Sequence, residues 1–448
     1  MADTKQDRVA WVAAADMGLG HKRAAWPLRG IGVGGVHVTG SDATTDEGER
    51  ALWDKLRGAY ESVSRLKRIP IVGDALFKAY DKLQAIPTAY PFRDLSNPTI
   101  QVTFAENLIK QGIGRSLIKR MKEEPHPLVA TFYAPALAAD AALWGRVYLV
   151  ITDTDMNRVW VPRDPRKSRI EYLVPCGKAL RRLKQCGVLD ERIYMTGFPL
   201  PLELTGDESL DVLRRDLGRR LARLDPNKRF WDLHHHSAEH FLGNENCPSE
   251  RGEAAGALTL TFAVGGAGAQ KEIAVTALES LAPLIAEGKF KMNLVAGVRT
   301  EVRDYFEEAC QNIAKSHPGA EKGIRVVYGA SDDEYFAAFG DCLHDTDILW
   351  SKPSELSFYT GLGIPLIMAP IIGAQEERNR EWLLEVQAGI DQRDPRFARE
   401  WIVDLIEEGR LAEAAWDGFL KARKYGTYKI MELIRTGAMS RESNPLKR

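Results

Sequence analysis

The feature that most restricts how this chain folds is a unit that occurs twice. A nearly continuous apolar run ends in a glycine-rich turn, and a helical pattern follows. RVAWVAAA (8–15) leads into DMGLGHKRAA (16–25), and ALTLTFAVGG (257–266) leads into AGAQKEIAVTALESLAPLIAEG. Strands that are apolar on both faces belong to parallel sheets covered by helices on each side. Further runs follow each unit: LVATFYA (128–134), RVYLVITD (146–153) and RIEYLVP (169–175) after the first, and FKMNLVAGV, GIRVVYGA, DTDILWS and IPLIMAP after the second. Helical segments such as ENLIKQGIGRSLIKRMKEE and EVRDYFEEACQNIAKS separate them. This alternation defines an α/β chain. In the helix after Gly268, Ile273, Ala277, Leu281, Leu284 and Ile285 are expected to form the buried stripe.

At 448 residues the chain exceeds one ordinary domain, so two are expected. The boundaries are set at 1–205 for an N-terminal domain, 206–415 for a C-terminal domain and 416–448 for a closing helical segment. Residues 225–256 are polar, without clear period, and are expected to be an insertion or long loop. Lysine and arginine (61) balance aspartate and glutamate (62), which argues against broad nucleic-acid binding. Five cysteines without a CxxC pair suit a reducing compartment. The polar start MADTKQDR lacks a signal core, and no apolar run nears membrane-spanning length. A cytoplasmic location is expected, with contact at a membrane surface compatible with it. The oligomeric state stays open.

Two glycine junctions carry the first chemical signals, DMGLGH (16–21) and VGGAGAQ (264–270). Glycine lets the backbone turn tightly and come close to a ligand, and a helix start offers N–H groups to phosphate. Neither junction is a Walker loop or a GxGxxG fingerprint, and each alone is equally a plain strand-to-helix turn. A third element is ILWSKPSELSFYTGLGIPLIMAPIIGAQEERN (348–379). It places Gln375, Glu376 and Asn379 beyond the carboxyl end of a strand, where ligands bind in open α/β sheets. A solvated helix start is the other reading.

Together these segments resemble the GT-B glycosyltransferases, in particular those similar to monogalactosyldiacylglycerol synthase and the N-acetylglucosaminyltransferase of peptidoglycan lipid synthesis. GLGHKRAA resembles the family's acceptor-domain loop. ITDTD (151–155) with CGKALRRLKQCGVLDERIYMTGFPL (176–200), VGGAGAQ, and GLGIPLIMAPIIGAQEERN follow in the family's order. The resemblance implies two Rossmann-like domains with parallel sheets facing a cleft, and a last helix crossing back to the N-terminal domain. It implies an inverting transfer from a nucleotide sugar, with UDP the expected base, to a hydroxyl acceptor that includes a membrane lipid among its candidates. On the acceptor side lie Gly18, Gly20 and His21. Gly265, Gly266 and Gly268 would line the diphosphate. Arg299 matches a donor-domain turn, Tyr328 and Gly329 lie near the base, and Gln375, Glu376 and Asn379 contact the sugar. The family's ribose-binding glutamate falls at Phe358, seven residues before Pro365. Glu355, next to Ser354, is one helical turn earlier and either takes that role or only favours the helix start.

Inverting transfer needs a base for the acceptor proton and dipoles for the departing diphosphate. His21 suits the first role, with Asp153 as its partner, and no metal is required. The plain alternatives are a helix-start histidine and a strand-end Asx turn. HHHSAEH (234–240) holds His236 and His240 at a ligand spacing, with Glu239 and Cys247 nearby, so a metal at His234–His240 stays open beside a polar loop. Residues 51–92 mix Lys67, Arg68 and other basic residues with Ile69, Ile71, Val72, Leu76, Phe77 and Tyr80, and IGRSLIKRMK (113–122) adds to them. Such segments suit an anionic membrane surface or an ordinary packed helix. Two further functions stay open, a GT-B nucleotide-sugar epimerase or hydrolase and a non-catalytic nucleotide-sugar binding protein.

Overall fold

A computed structural model describes residues 9–66, 86–247, 256–263, 268 and 270–440, with backbone alone for 59–66. The chain divides into two compact units. The first comprises residues 1–199, 373–378 and 425–448, and the second residues 200–372 and 379–424.

The first unit is built on a parallel sheet of β1 (Ala10–Ala15), β2 (Gly32–Thr39), β3 (Leu128–Ala130), β4 (Val147–Val150), β5 (Ile170–Leu173) and β6 (Ile193–Tyr194), in the order β2-β1-β3-β4-β5-β6. The apolar runs form the strands but stop early. LVATFYA is a strand only through Ala130, because Tyr133 already begins the helix Tyr133–Ala141. The helix Gly426–Thr436, near the end of the described chain, belongs to this unit. Its Ile430, Leu433 and Ile434 join Ala10, Val12, Val129, Tyr148 and Val150 in one core cluster.

The second unit holds β7 (Leu258–Ala263), β8 (Phe290–Gly297), β9 (Ile324–Tyr328), β10 (Ile348–Ser351), β11 (Leu366–Met368) and β12 (Gly389–Asp391), all parallel. Their order, β12-β11-β10-β7-β8-β9, is the dinucleotide-binding 3-2-1-4-5-6 arrangement. The expected α/β class, two Rossmann-like units on parallel sheets, is the observed one.

Two local expectations are corrected. The helix Lys271–Ala286 buries Ala274, Ala277, Leu278, Leu281, Ala282 and Ile285, while Ile273 and Leu284 lie only half-buried at the margin. Three alanines turn inward because a small side chain lets the helix axis approach the sheet. Residues 225–256 are not simply a loop, since Arg229–Leu242 is a helix burying Phe230, Ala238 and Leu242. Its start is stabilised by Asp225, whose carboxylate accepts from Phe230 N (3.1 Å) and Trp231 N (2.8 Å).

Candidate functional site

In each sheet the strand order reverses between two neighbours, and ligands of open α/β sheets bind outside the carboxyl ends at that reversal. In the first unit it falls between β1 and β3. His21 sits there, third in the helix Leu19–Ala25 that follows β1. Gly18 precedes that helix at φ 110°, a left-handed conformation only glycine adopts readily, and a Cβ there would meet no atom within 4 Å. Gly20 lies within the helix.

Thr131, the residue after β3, holds His21 in place from two directions. Its hydroxyl donates to the His21 carbonyl at 2.8 Å, and its own carbonyl lies 2.8 Å from His21 Nδ1. A carbonyl only accepts, so Nδ1 carries the hydrogen and the neutral ring keeps its lone pair on Nε2. Thr131 is itself tied to β1, its amide donating to Ala13 O at 2.9 Å. From the end of β4, the Thr152 hydroxyl lies 3.5 Å from the same Nδ1. Asp153 follows it, half-buried on the same edge. The backbone carbonyl of Thr131, at Nδ1, orients the imidazole. Asp16, closing β1, pairs with Lys22 Nζ (2.8 Å) and Arg57 Nη1 (3.4 Å).

The ITDTD segment is clamped from below. Asp155 and Arg182 form a buried two-pronged pair, Nε to Oδ1 and Nη2 to Oδ2, both 2.7 Å. Burial would pull the guanidinium down, but the Asp155 carboxylate outweighs it and leaves Arg182 above its ordinary pKa. Arg182 also donates to Pro87 O. These contacts anchor the helix Gly177–Gln185 to the strand end that carries Thr152 and Asp153.

In the second unit the reversal falls between β7 and β10. Ser351 locks the two strand ends, its buried hydroxyl donating to Ala263 O at 2.9 Å. Gly265 and Gly266 lie outside the described residues. Gly268 adopts φ 63°, and a Cβ there would lie 2.9 Å from Val302 Cγ2 and 3.6 Å from Arg299 Cδ. Gly268 and Arg299 are therefore neighbours. Arg299 precedes the helix Thr300–Ser316 and pairs with Glu301 at 3.2 Å. Gln270 ties the loop after β7 to the one after β11 through Pro370 O at 2.6 Å.

Tyr328 ends β9. Its hydroxyl lies 3.2 Å from Thr300 Oγ1, and the Arg303 guanidinium lies 4.9 Å from its ring centroid. Gly329 is required by packing, since a Cβ would stand 2.2 Å from Tyr335 N. The half-buried Lys352 and Ser354 follow β10, with Ser354 N donating to Lys352 O at 2.9 Å. Glu355 begins the 3-10 helix Glu355–Leu362 and is half-buried. Phe358, one 3-10 turn on, is core, its ring 5.2 Å from Trp382.

Gln375 and Glu376 lie on the first turn of the helix Ala374–Glu385, Gln375 half-buried and Glu376 buried. The Glu376 carboxylate accepts from Gly373 N at 3.4 Å. Asn379 is fully buried and donates to Pro353 O at 3.3 Å, which fixes the loop after β10. His236 and His240 are exposed on the helix Arg229–Leu242. Among the described residues no group of three or more histidine, cysteine, aspartate or glutamate side chains could hold a metal.

Sequence reasoning passed over Thr131 and Lys352. One signal for Thr131 was present, since LVAT and LVIT both close an apolar strand on a threonine. Lys352 opens the stretch KPSE (352–355), which carries no local signal for a role.

The sequence model of a family described as a domain of unknown function (DUF6938) matches residues 244–433. No curated protein matches the chain. Solved structures with some similarity include MurG of Acinetobacter baumannii, at 12% identity, 96% coverage of this chain, 99% of that one and a TM-score of 0.44. The UDP-GlcNAc 2-epimerase of Neisseria meningitidis bound to UDP-GlcNAc gives 12%, 95%, 97% and 0.46. A UDP-glucosyltransferase of Polygonum tinctorium gives 11%, 96%, 98% and 0.46.

Proposed function

We propose that the protein is an inverting glycosyltransferase. The nucleotide sugar, with UDP as the expected base, binds at the strand reversal of the second unit, and the hydroxyl acceptor binds beside His21 in the first. The observation that supports this reading is the 2.8 Å contact of His21 Nδ1 with the Thr131 carbonyl at the ligand-binding edge of a parallel sheet, an orientation that suits Nε2 to the role of base. The acceptor oxygen attacks the anomeric carbon and its proton passes to Nε2. The bond from that carbon to the diphosphate oxygen breaks, and the nucleoside diphosphate leaves. Asp153 assists on the same edge. Helix starts and loop amides of the second unit, with Lys352, suit the departing charge without a metal. Arg299, Tyr328 and Gly329 serve the nucleotide, Ser354 and Glu355 the ribose, and Gln375 and Glu376 the sugar. Asn379 acts through Pro353 by holding the loop.

The experiment is a thermal-shift screen of UDP-, GDP-, ADP- and TDP-sugars. A donor at 100 times its Kd stabilises by about 2.7 kcal/mol, a shift of roughly 5 °C or more. UDP-sugars should give it, and Lys352→Ala or Glu355→Ala should weaken binding about tenfold. If none of the four raises Tm at millimolar concentration, the donor assignment is wrong.

For the acceptor, we favour a lipid reached from a cytoplasmic membrane face. No described helix is long and apolar enough to cross a membrane. The first unit nevertheless exposes Tyr90 (67%), Phe92 (66%) and Ile100 (72%), with Phe104 one helical turn beyond Ile100. Lys67, Arg68 and the apolar residues 69–80 lie outside the described residues. Co-sedimentation with vesicles containing anionic lipid should fall several-fold in Phe92→Glu/Ile100→Glu and in Lys67→Glu/Arg68→Glu. Equal binding by these variants and the wild type removes the membrane claim.

A further inference from the structure

His21 stands within a group of aromatic rings that the catalytic reading does not use. Its ring centroid is 4.8 Å from Phe132, edge-on, and 6.0 Å from Trp160. Phe132 lies 4.3 Å from Tyr133 and 6.0 Å from Trp160, and Tyr133 lies 5.7 Å from Trp160. Trp53 backs the group at 6.4 Å from Phe132. The rings come from four separate places: the helix after β1, the segment after β3, the short 3-10 turn Arg158–Trp160, and the helix Glu47–Leu66. A cluster assembled from so many segments at the carboxyl edge of the sheet sits where that edge meets ligands.

Burial divides the group in two. Trp53 and Phe132 are buried, Trp160 lies at the limit with 9% exposed, and His21 and Tyr133 are half-buried. The inner rings, Trp160 among them, therefore support, and Tyr133 is the half-buried aromatic ring packed beside Trp160. Support is firm beneath Trp160. Asn157 caps its turn by accepting from Val159 N at 3.2 Å, and Tyr172 donates its hydroxyl to Trp160 O at 3.2 Å. The neighbouring Arg158 is buried and donates to Leu95 O (3.1 Å) and Ser96 O (2.9 Å). A platform held this way loses little side-chain freedom when something is laid on it.

We propose that Tyr133 and Trp160 form an acceptor platform that selects a hydroxyl carried on a flat, apolar ring face. This rests on the acceptor side of the proposed function. An aromatic ring and the CH face of a pyranose present that same chemistry, and a flexible alkyl chain does not. Ring-on-ring contact orients a ligand as well as burying it, which an acceptor hydroxyl needs in order to meet Nε2. Tyr133 and Trp160 are specificity residues in this scheme. They take no proton.

The test uses the full chain labelled with 5-fluorotryptophan. Of its ten tryptophan resonances, the one removed in Trp160→Phe is the reporter. Three probes are titrated: p-cresol for the aromatic source, methyl β-D-glucopyranoside for the pyranose source and 1-octanol for an alkyl chain. The expected result is a saturable shift of the Trp160 resonance with one ring probe, at about tenfold or more lower concentration than with octanol. Tyr133→Ala should weaken that ring probe about tenfold, the worth of one aromatic contact, while Tyr133→Phe keeps it within about threefold. Tyr133→Leu repeats the test with side-chain volume retained, and the other nine resonances report whether each variant is folded. Octanol matching the ring probes, no shift with any probe, or equal response in the Tyr133 variants overturns the proposal. The thermal shift with UDP should be the same in all Tyr133 variants. If UDP-sugars give no shift while the rings still bind, the donor assignment fails and the platform stands. If UDP-sugars bind and the rings do not, the platform fails alone.

Discussion

His21→Ala should lower glycosyl transfer by about 10²–10⁴-fold while leaving the thermal shift with the nucleotide sugar unchanged, because a positioned base is worth that much and the proposed nucleotide residues Arg299, Tyr328, Lys352 and Glu355 lie in the second unit. The separation of the two readouts is the informative part. Nδ1 is committed to the Thr131 carbonyl, so the proposal gives the proton transfer to Nε2. His21→Gln should not rescue transfer, because an amide takes no proton at neutral pH. A neutral carbonyl at Nδ1 fixes the tautomer without adding charge, in contrast to a carboxylate partner. Asp153→Asn should therefore cost less than His21→Ala. Turnover within about tenfold of wild type in His21→Ala would remove His21 as the base. Loss of donor binding together with turnover would point to a structural role at the end of β1.

The largest stability effect is expected at Arg220. It is one of the few fully buried charged side chains, and it donates Nε to Thr346 O (2.7 Å) and Nη1 to Leu362 O (3.0 Å) and Gly363 O (3.2 Å). Burial pulls its pKa down to about 10, so it stays charged at neutral pH. Leu362 and Gly363 end the 3-10 helix whose first residue is Glu355, so Arg220 holds the far end of the element that carries Glu355. Arg220→Leu strands three buried carbonyls and should destabilise the second unit by roughly 3–5 kcal/mol. Arg303→Ala, which breaks a surface pair with Asp304, should leave the urea midpoint almost unchanged. Urea unfolding reads both. A loss under about 1 kcal/mol for Arg220→Leu would mean that water or neighbouring donors replace the guanidinium.

Much of the architecture was legible because its signal is local. The apolar runs that became strands are short and are followed by turns or polar helical segments, so the alternation of strand and helix could be read directly. Strand ends were less legible. Thr131 to Ala134 continue the apolar character of β3, yet the chain turns into a helix there, since sheet pairing stops at Ala130. The helix Arg229–Leu242 was hidden because its apolar face is thin. Phe230, Ala238 and Leu242 are its buried residues, and the carboxylate that stabilises its start lies four residues ahead at Asp225.

The site shows the same division. Residue type and spacing along the chain are local properties, and from them came the α/β class and the two glycine junctions, while the candidacy of His21 and of the loop around Ser354 and Glu355 came from the resemblance to the GT-B glycosyltransferases. Strand order is not a local property. β3 is 113 residues beyond the end of β1, and only their pairing brings Thr131 to the His21 ring and sets which nitrogen carries the lone pair. The rings of Phe132, Tyr133 and Trp160 gather for the same reason, as do Ser351 and the end of β7. Contacts between residues so distant in sequence depend on how the sheet is ordered, and burial and hydrogen bonding choose that order over the whole unit at once. The residue type and its place after a glycine turn are local to the sequence, and the tertiary structure decided which ring nitrogen meets the Thr131 carbonyl and what surrounds the ring.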